Sequence, residues 1–204
     1  MRIGYFGGSF DPPHLGHLAV ARAAADKFSL DRVLFVPTGI QPLKPDGPTA
    51  SYDDRLAMVS LLCALQPPRP APLFEPSTLD EPLPNAAPNF TVDTLTRLLD
   101  ELPPTDTLFA IIGADTFLDI PRWRSPEKLL TLVDWIVVSR PGCSLADATT
   151  FTPAQLQRVH LLEGVQEPAS ATSIRALLLA GSDCQGSLPA TIFDYIHAHH
   201  LYGT

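Results

Sequence analysis

At 204 residues, with 45% hydrophobic side chains, the chain is long enough for one domain with a sizeable core. A formal net charge of −8 and a pI near 5.1 argue against nucleic acid as a partner, since that interaction leaves a basic face, but they allow a local positive pocket for a small phosphorylated ligand. No apolar run approaches the ~18 residues of a membrane span, no signal-peptide pattern precedes the first strand, and Cys63, Cys143 and Cys184 are too widely spaced for a disulfide framework, so a cytoplasmic, reducing setting is expected.

Residues 3–6 (Ile-Gly-Tyr-Phe) have strand character. Gly7-Gly8-Ser9-Phe10-Asp11-Pro12-Pro13-His14-Leu15-Gly16-His17 follows, and the alanine-rich stretch 18–25 reads as helix. This order of strand, glycine turn, loop and helix aims unpaired N–H groups and a partial positive charge beyond the strand. Such a place suits phosphate. Gly7, Gly8 and Gly16 let backbone approach a ligand closely. His14 and His17, three apart, can present both rings on one side of a helix start. Two His without a nearby Cys make a poor metal site.

Residues 32–36 (Arg-Val-Leu-Phe-Val) read as a buried parallel strand. A loop carrying Lys44 follows. A helix then starts after Ser51, a suitable cap, with Leu56, Val59, Leu62 and Cys63 as its apolar stripe. Arg55 on that helix is expected to pair with Asp53, Asp54 or a neighbouring loop. Leu73-Phe74 is a short strand candidate. A helix is expected over 89–102, capped by Asn89 or Thr91. Strands are expected at 107–112, 135–139 and 159–162, with a short helix at 126–132 between the first two. Ser170 opens a helix that runs to Leu179 and stops at Gly181, and 189–200 is a last helix. The 22 prolines include two clusters between these segments, at 66–72 and 81–88, which read as stiff loops.

Alternating strands and helices give an α/β fold: a Rossmann-like, doubly wound parallel sheet of five to six strands with helices on both faces. We expect a single domain over 1–204, with 165–204 as a helical part packed on it. In such sheets ligands bind beyond the C-terminal strand ends, where the strand order reverses. Gly8, His14, Lys44, Asp115 and Arg140 all fall at such ends. The chain has no Gly-x-x-x-x-Gly-Lys-Ser/Thr loop, no Gly-x-Gly-x-x-Gly and no Gly-x-Ser-x-Gly. Ser170-Ala171-Thr172-Ser173-Ile174-Arg175 offers hydroxyls and free N–H groups at a helix start, with an Arg one turn in, as an anion cradle. Gly113 and Asp115 close a strand where a carboxylate can take ribose hydroxyls.

The first of these motifs resembles the signature of the nucleotidyltransferases with a His-x-Gly-His motif, and is most similar to the bacterial nicotinate-nucleotide adenylyltransferases. The resemblance extends to Ser170–Arg175, to Gly113–Trp123 and to Asn89–Thr94. It implies that His14, His17 and Arg175 are catalytic, with Arg175 on the outer phosphates of ATP. It implies ATP contacts at Gly7, Gly8, Ser9, Phe10, Gly16, Gly113, Asp115, Arg140, Thr172 and Ser173. Lys44, Phe90, Thr91 and Trp123 would meet the second substrate, with Trp123 stacking on its pyridine ring. Three positions depart from the family: Phe90 replaces Tyr and loses a hydroxyl, Leu43 replaces His, and Ala169 replaces Ile.

The implied reaction joins ATP and nicotinate mononucleotide to give nicotinate adenine dinucleotide and pyrophosphate, a step of NAD biosynthesis. Mg2+ would be carried mainly by ATP, with no protein metal ligand. Three alternatives stand beside it: transfer to phosphopantetheine, transfer to nicotinamide mononucleotide, and a non-catalytic nucleotide-binding module. Monomer and homo-oligomer are both open.

Overall fold

The computed structural model describes residues 1–43, 47–66, 72–139, 151–165 and 169–204. Six parallel strands form one sheet: β1 (Arg2–Gly8), β2 (Arg32–Pro37), β3 (Leu73–Pro76), β4 (Thr107–Gly113), β5 (Asp134–Val138) and β6 (Val159–Leu162). Their order is β3-β2-β1-β4-β5-β6. From β1 the chain steps outward through β2 to β3. It then crosses to the other side of β1 and steps outward again through β5 to β6. The order therefore reverses between β1 and β4, where Phe6 pairs with Ile111. Crossover helices diverge to opposite faces there and leave a crevice above the strand ends.

The strands read as continuous apolar runs because both faces are covered. Alternate residues divide between two cores. Phe6, Val33 and Phe35 point into one, together with Leu18 and Ala21 of α1 (Leu15–Phe28) and Met58 and Leu62 of α2 (Tyr52–Cys63). Ile174 of α6 (Ala171–Leu179) and Ile192 and Ile196 of α7 (Ala190–Ala198) complete that cluster. The region after 169 thus adds its apolar face to an existing core. Ile3, Tyr5, Leu34 and Val36 point into the other, with Leu95 of α3 (Thr91–Glu101), Phe117 of α4 (Ala114–Leu118) and Leu129 of α5 (Pro126–Leu132). The expected doubly wound sheet is the one observed, and the short candidate at Leu73-Phe74 is its edge strand β3.

Local signals explain the helix ends. Ser51 Oγ accepts from the Asp54 N–H at 3.1 Å, and Ser170 Oγ accepts from the Ser173 N–H at 3.1 Å, so both are N-caps. Ser29, in the left-handed region at φ 50°, ends α1. Asn89 departs from expectation. The cap position of α3 falls on Phe90, without a side-chain bond. Asn89 instead clamps two loops: its Oδ1 accepts from the Ile40 N–H at 3.0 Å, and its Nδ2 donates to the Glu81 carbonyl at 3.0 Å. An amide can bond in both directions at once, which a cap would not use.

Candidate active site

A cleft of about 680 Å³ opens at the reversal point, above the C-terminal ends of β1 and β4. That is within the usual range for a small-molecule site. Gly7, Gly8, Ser9, Phe10 and His17 line it from the first loop, and Gly113 lines it from the end of β4. Phe90, Thr91 and Trp123 form a second region of its wall, and Thr172 and Arg175 reach it from α6. His14, Gly16, Asp115 and Ser173 lie off this wall: His14 and Gly16 are buried, and Asp115 is exposed on the first turn of α4. Lys44 and Arg140 lie outside the described residues, as does Cys143.

The first loop is held in an unusual shape. Phe10 sits at φ 48°, a left-handed conformation that costs a bulky residue on the order of 1–3 kcal/mol. Burial fixes it there: its ring is 2% exposed and packs edge-on against His17 at 4.8 Å between centroids. A Cβ on Gly7 would stand 2.9 Å from the Tyr5 ring, so only glycine lets the strand pass that ring.

The two histidines act on each other. Their rings lie 3.8 Å apart, centroid to centroid, at the start of α1. The His14 backbone N–H donates to His17 Nδ1 at 3.1 Å. With Nδ1 accepting, a neutral His17 carries its proton on Nε2. The ring thus lines the cleft with its tautomer set by the backbone.

Beneath the loop lies a polar knot that the sequence did not reveal. Asp11 is 5% exposed. Its carboxylate accepts from the Thr49 N–H at 2.7 Å, the Ala50 N–H at 3.0 Å and the Tyr202 hydroxyl at 2.8 Å. Arg175 Nη1 donates to the Asp11 carbonyl at 2.6 Å and stands 3.8 Å from its carboxylate. Arg175 Nη2 also reaches Thr172 Oγ1 at 3.4 Å. Arg55, 2% exposed, bonds neither Asp53 nor Asp54. Its Nη1 donates to the Ser9 carbonyl at 2.8 Å and its Nε to the Ala50 carbonyl at 3.3 Å. Burial lowers the Arg55 pKa, and the charge of Asp11 works against that. Arg55 therefore supports the loop from below and does not line the cleft.

The other end of the cleft is aromatic and mixed in charge. The Arg124 guanidinium lies over the Phe90 ring at 4.5 Å and pairs with Asp93 at 3.6 Å. Asp80, 3% exposed, lines this end and accepts from the Tyr5 hydroxyl at 3.3 Å and from the Thr94 hydroxyl. Burial pushes the Asp80 carboxyl up, and the Thr94 and Tyr5 bonds pull it back only in part. Asp80 and Arg124 carry no sequence motif of their own; each takes its place through partners brought in by the fold.

A glycine loop, a backbone-oriented imidazole and an arginine at the reversal point of a parallel sheet define a nucleotide-binding α/β protein built to handle phosphates. Comparison with known proteins narrows this. A family profile described as cytidylyltransferase-like matches residues 5–177. A probable nicotinate-nucleotide adenylyltransferase of Solibacter usitatus is 40% identical over 202 residues, covering 99% of this chain and 100% of that protein. One from Roseiflexus sp. is also 40% identical, over 203 residues, covering 98% and 97%. The chain belongs to the cytidylyltransferase-like family, within it to the nicotinate-nucleotide adenylyltransferases. The fold is also that of Plasmodium falciparum nicotinic acid mononucleotide adenylyltransferase complexed with NaAD, at a TM-score of 0.80 and 20% identity, covering 98% of this chain and 97% of that one.

Proposed function

We propose that this chain joins ATP and nicotinate mononucleotide to give nicotinate adenine dinucleotide and pyrophosphate, as its relatives' names describe. The observation that carries the reading is the layout of the cleft. A phosphate-facing end (Gly7, Gly8, His17, Thr172, Arg175) and an aromatic end (Phe90, Thr91, Trp123) share one cavity. Two substrates can therefore meet with their phosphates adjacent. The mononucleotide phosphate attacks the α-phosphorus of ATP in line, the α–β bridging bond breaks, and its electron pair leaves on pyrophosphate. Positioning and charge stabilisation carry such a step, without a protein nucleophile.

His17 Nε2–H donates to the phosphates as charge moves onto the leaving group. His14 fixes that ring through its backbone N–H and through its own ring, 3.8 Å away, and is the second imidazole of the pair that serves the phosphates. Arg175 and the Thr172 helix start hold the β and γ groups. Ser9, Phe10, Gly16, Gly113 and Ser173 contribute backbone and hydroxyl contacts to ATP, Asp115 its ribose contact, and Arg140 a further contact to the nucleotide. Trp123 stacks on the pyridine ring, Thr91 seats the nicotinate carboxylate beside Phe90, and Lys44 meets the mononucleotide phosphate.

Magnesium belongs to ATP in this account. The described residues hold no cluster of three or more His, Cys, Asp or Glu suited to a metal. The Asp11 carboxylate is occupied by N–H and O–H donors. Phosphate oxygens and water suit the ion without protein ligands. No described helix is long and apolar enough to cross a membrane. The buried free thiols of Cys63 and Cys184 support a cytoplasmic setting.

The ring site has its own test. Trp123→Ala raises KM for nicotinate mononucleotide by about tenfold, the scale of one lost aromatic stack, and moves KM for ATP little. Steady-state kinetics with each substrate varied in turn measure the split. Equal changes in both KM values would remove Trp123 from the ring site.

A further inference from the structure

We propose that Tyr202 is a positioning residue for the phosphate-binding arm: its hydroxyl occupies Asp11 and so leaves Arg175 available to ATP. The inference rests on the reading that Arg175 meets the outer phosphates. Three observations carry it.

The first is the hydrogen bond itself. Tyr202 lies 191 residues from Asp11, is buried, and donates to Asp11 Oδ1 at 2.8 Å. Burial first, and then the charge of Asp11, push the phenol far above its ordinary value, so it stays a donor at any working pH.

The second is backbone strain. His200 at φ 52° and Tyr202 at φ 58° both occupy the left-handed region, which few non-glycine residues adopt. Such conformations persist only where surrounding structure over-determines them. Here the turn Leu201–Gly203 is pressed against α6, since a Cβ on Gly203 would stand 2.8 Å from Leu179. The strained turn delivers the Tyr202 ring to the knot beneath the first loop.

The third is competition for one cation. Asp11 Oδ1 takes the Ala50 N–H and the Tyr202 hydroxyl, and Oδ2 takes the Thr49 N–H. Three neutral donors hold the carboxylate, so Arg175 makes only a long ion pair with Oδ2, at 3.8 Å, and is anchored by the Asp11 carbonyl. Remove the hydroxyl, and a buried carboxylate lacks a donor. Arg175, whose Nη1 already pairs with Oδ2 of the same carboxylate at 3.8 Å, is the cation placed to tighten on it. A guanidinium drawn into a tight pair with Asp11 is withdrawn from the phosphates.

Tyr202→Phe keeps the ring and the packing and deletes only the donor. Titration calorimetry with ATP–magnesium and with AMP reads the effect without turnover, so a failed nicotinate assignment leaves this test standing. The variant binds ATP–magnesium about fivefold more weakly, the scale of one hydrogen bond, and AMP, which lacks the outer phosphates, without change. In an Arg175→Ala background the same substitution has no further effect on ATP, as expected of two residues acting through one interaction. Equal weakening of ATP and AMP, no weakening of either, or a loss that persists without Arg175 would each overturn the proposal.

Discussion

Substitution of His17 by Ala lowers kcat by about two to three orders of magnitude, the usual loss on removing one preorganised donor to developing charge. The fold survives, because His17 is held by the loop more than it holds the loop. Phe10 keeps its contacts with Phe6 and Phe35, at 5.6 and 5.8 Å between centroids. The His14 N–H, which had donated to Nδ1, turns to water in the space left by the ring. What disappears is a cleft-lining imidazole with its tautomer set in advance. Pyrophosphate release measures the loss, and a thermal melt checks the fold. Turnover near wild type in a folded variant would mean that His17 does not stabilise the leaving group.

Asp11→Ala acts on stability first. The change strands two buried donors, the Ala50 N–H and the Tyr202 hydroxyl, together with the part-buried Thr49 N–H, and removes the negative charge beside Arg55 and Arg175. Breaking a buried charge network by deleting one partner costs about 3–5 kcal/mol. That is a large part of the 5–15 kcal/mol typical of a whole domain. Denaturant unfolding of the two proteins gives the difference directly. A loss below about 1 kcal/mol, the scale of a single exposed pair, would mean that the knot does not brace the loop.

These two residues show where sequence reading reaches and where it stops. His17 was legible because its signal is local. A strand, two glycines and two histidines three apart lie within one short stretch, and their spacing alone predicts neighbouring rings at a helix start. The strands were legible for the same reason, as short apolar runs bounded by turns. Asp11 sits in that same stretch, yet its role was hidden. Its partners lie 38, 39, 164 and 191 residues away, so nothing near it in the chain announces them. Arg55 read as a partner of Asp53, Asp54 or a neighbouring loop, and nothing local decided among the three. The fold turns it inward to the Ser9 carbonyl, 46 residues distant. Asn89 read as a cap because it precedes a helix, and only the closure of loops 40 and 81 upon it explains the clamp. Local rules predict elements and motifs; the polar contacts that lock the motif in place are long-range and follow from the topology.

The central claim is tested most directly by pyrophosphate release with ATP and magnesium, run in parallel with nicotinate mononucleotide, nicotinamide mononucleotide and phosphopantetheine. The account predicts release with the nicotinate form well above the other two. Preference for the amide would contradict the ring-site assignment, release with phosphopantetheine alone would contradict the choice of second substrate, and silence with all three in a protein that binds ATP would contradict catalysis itself.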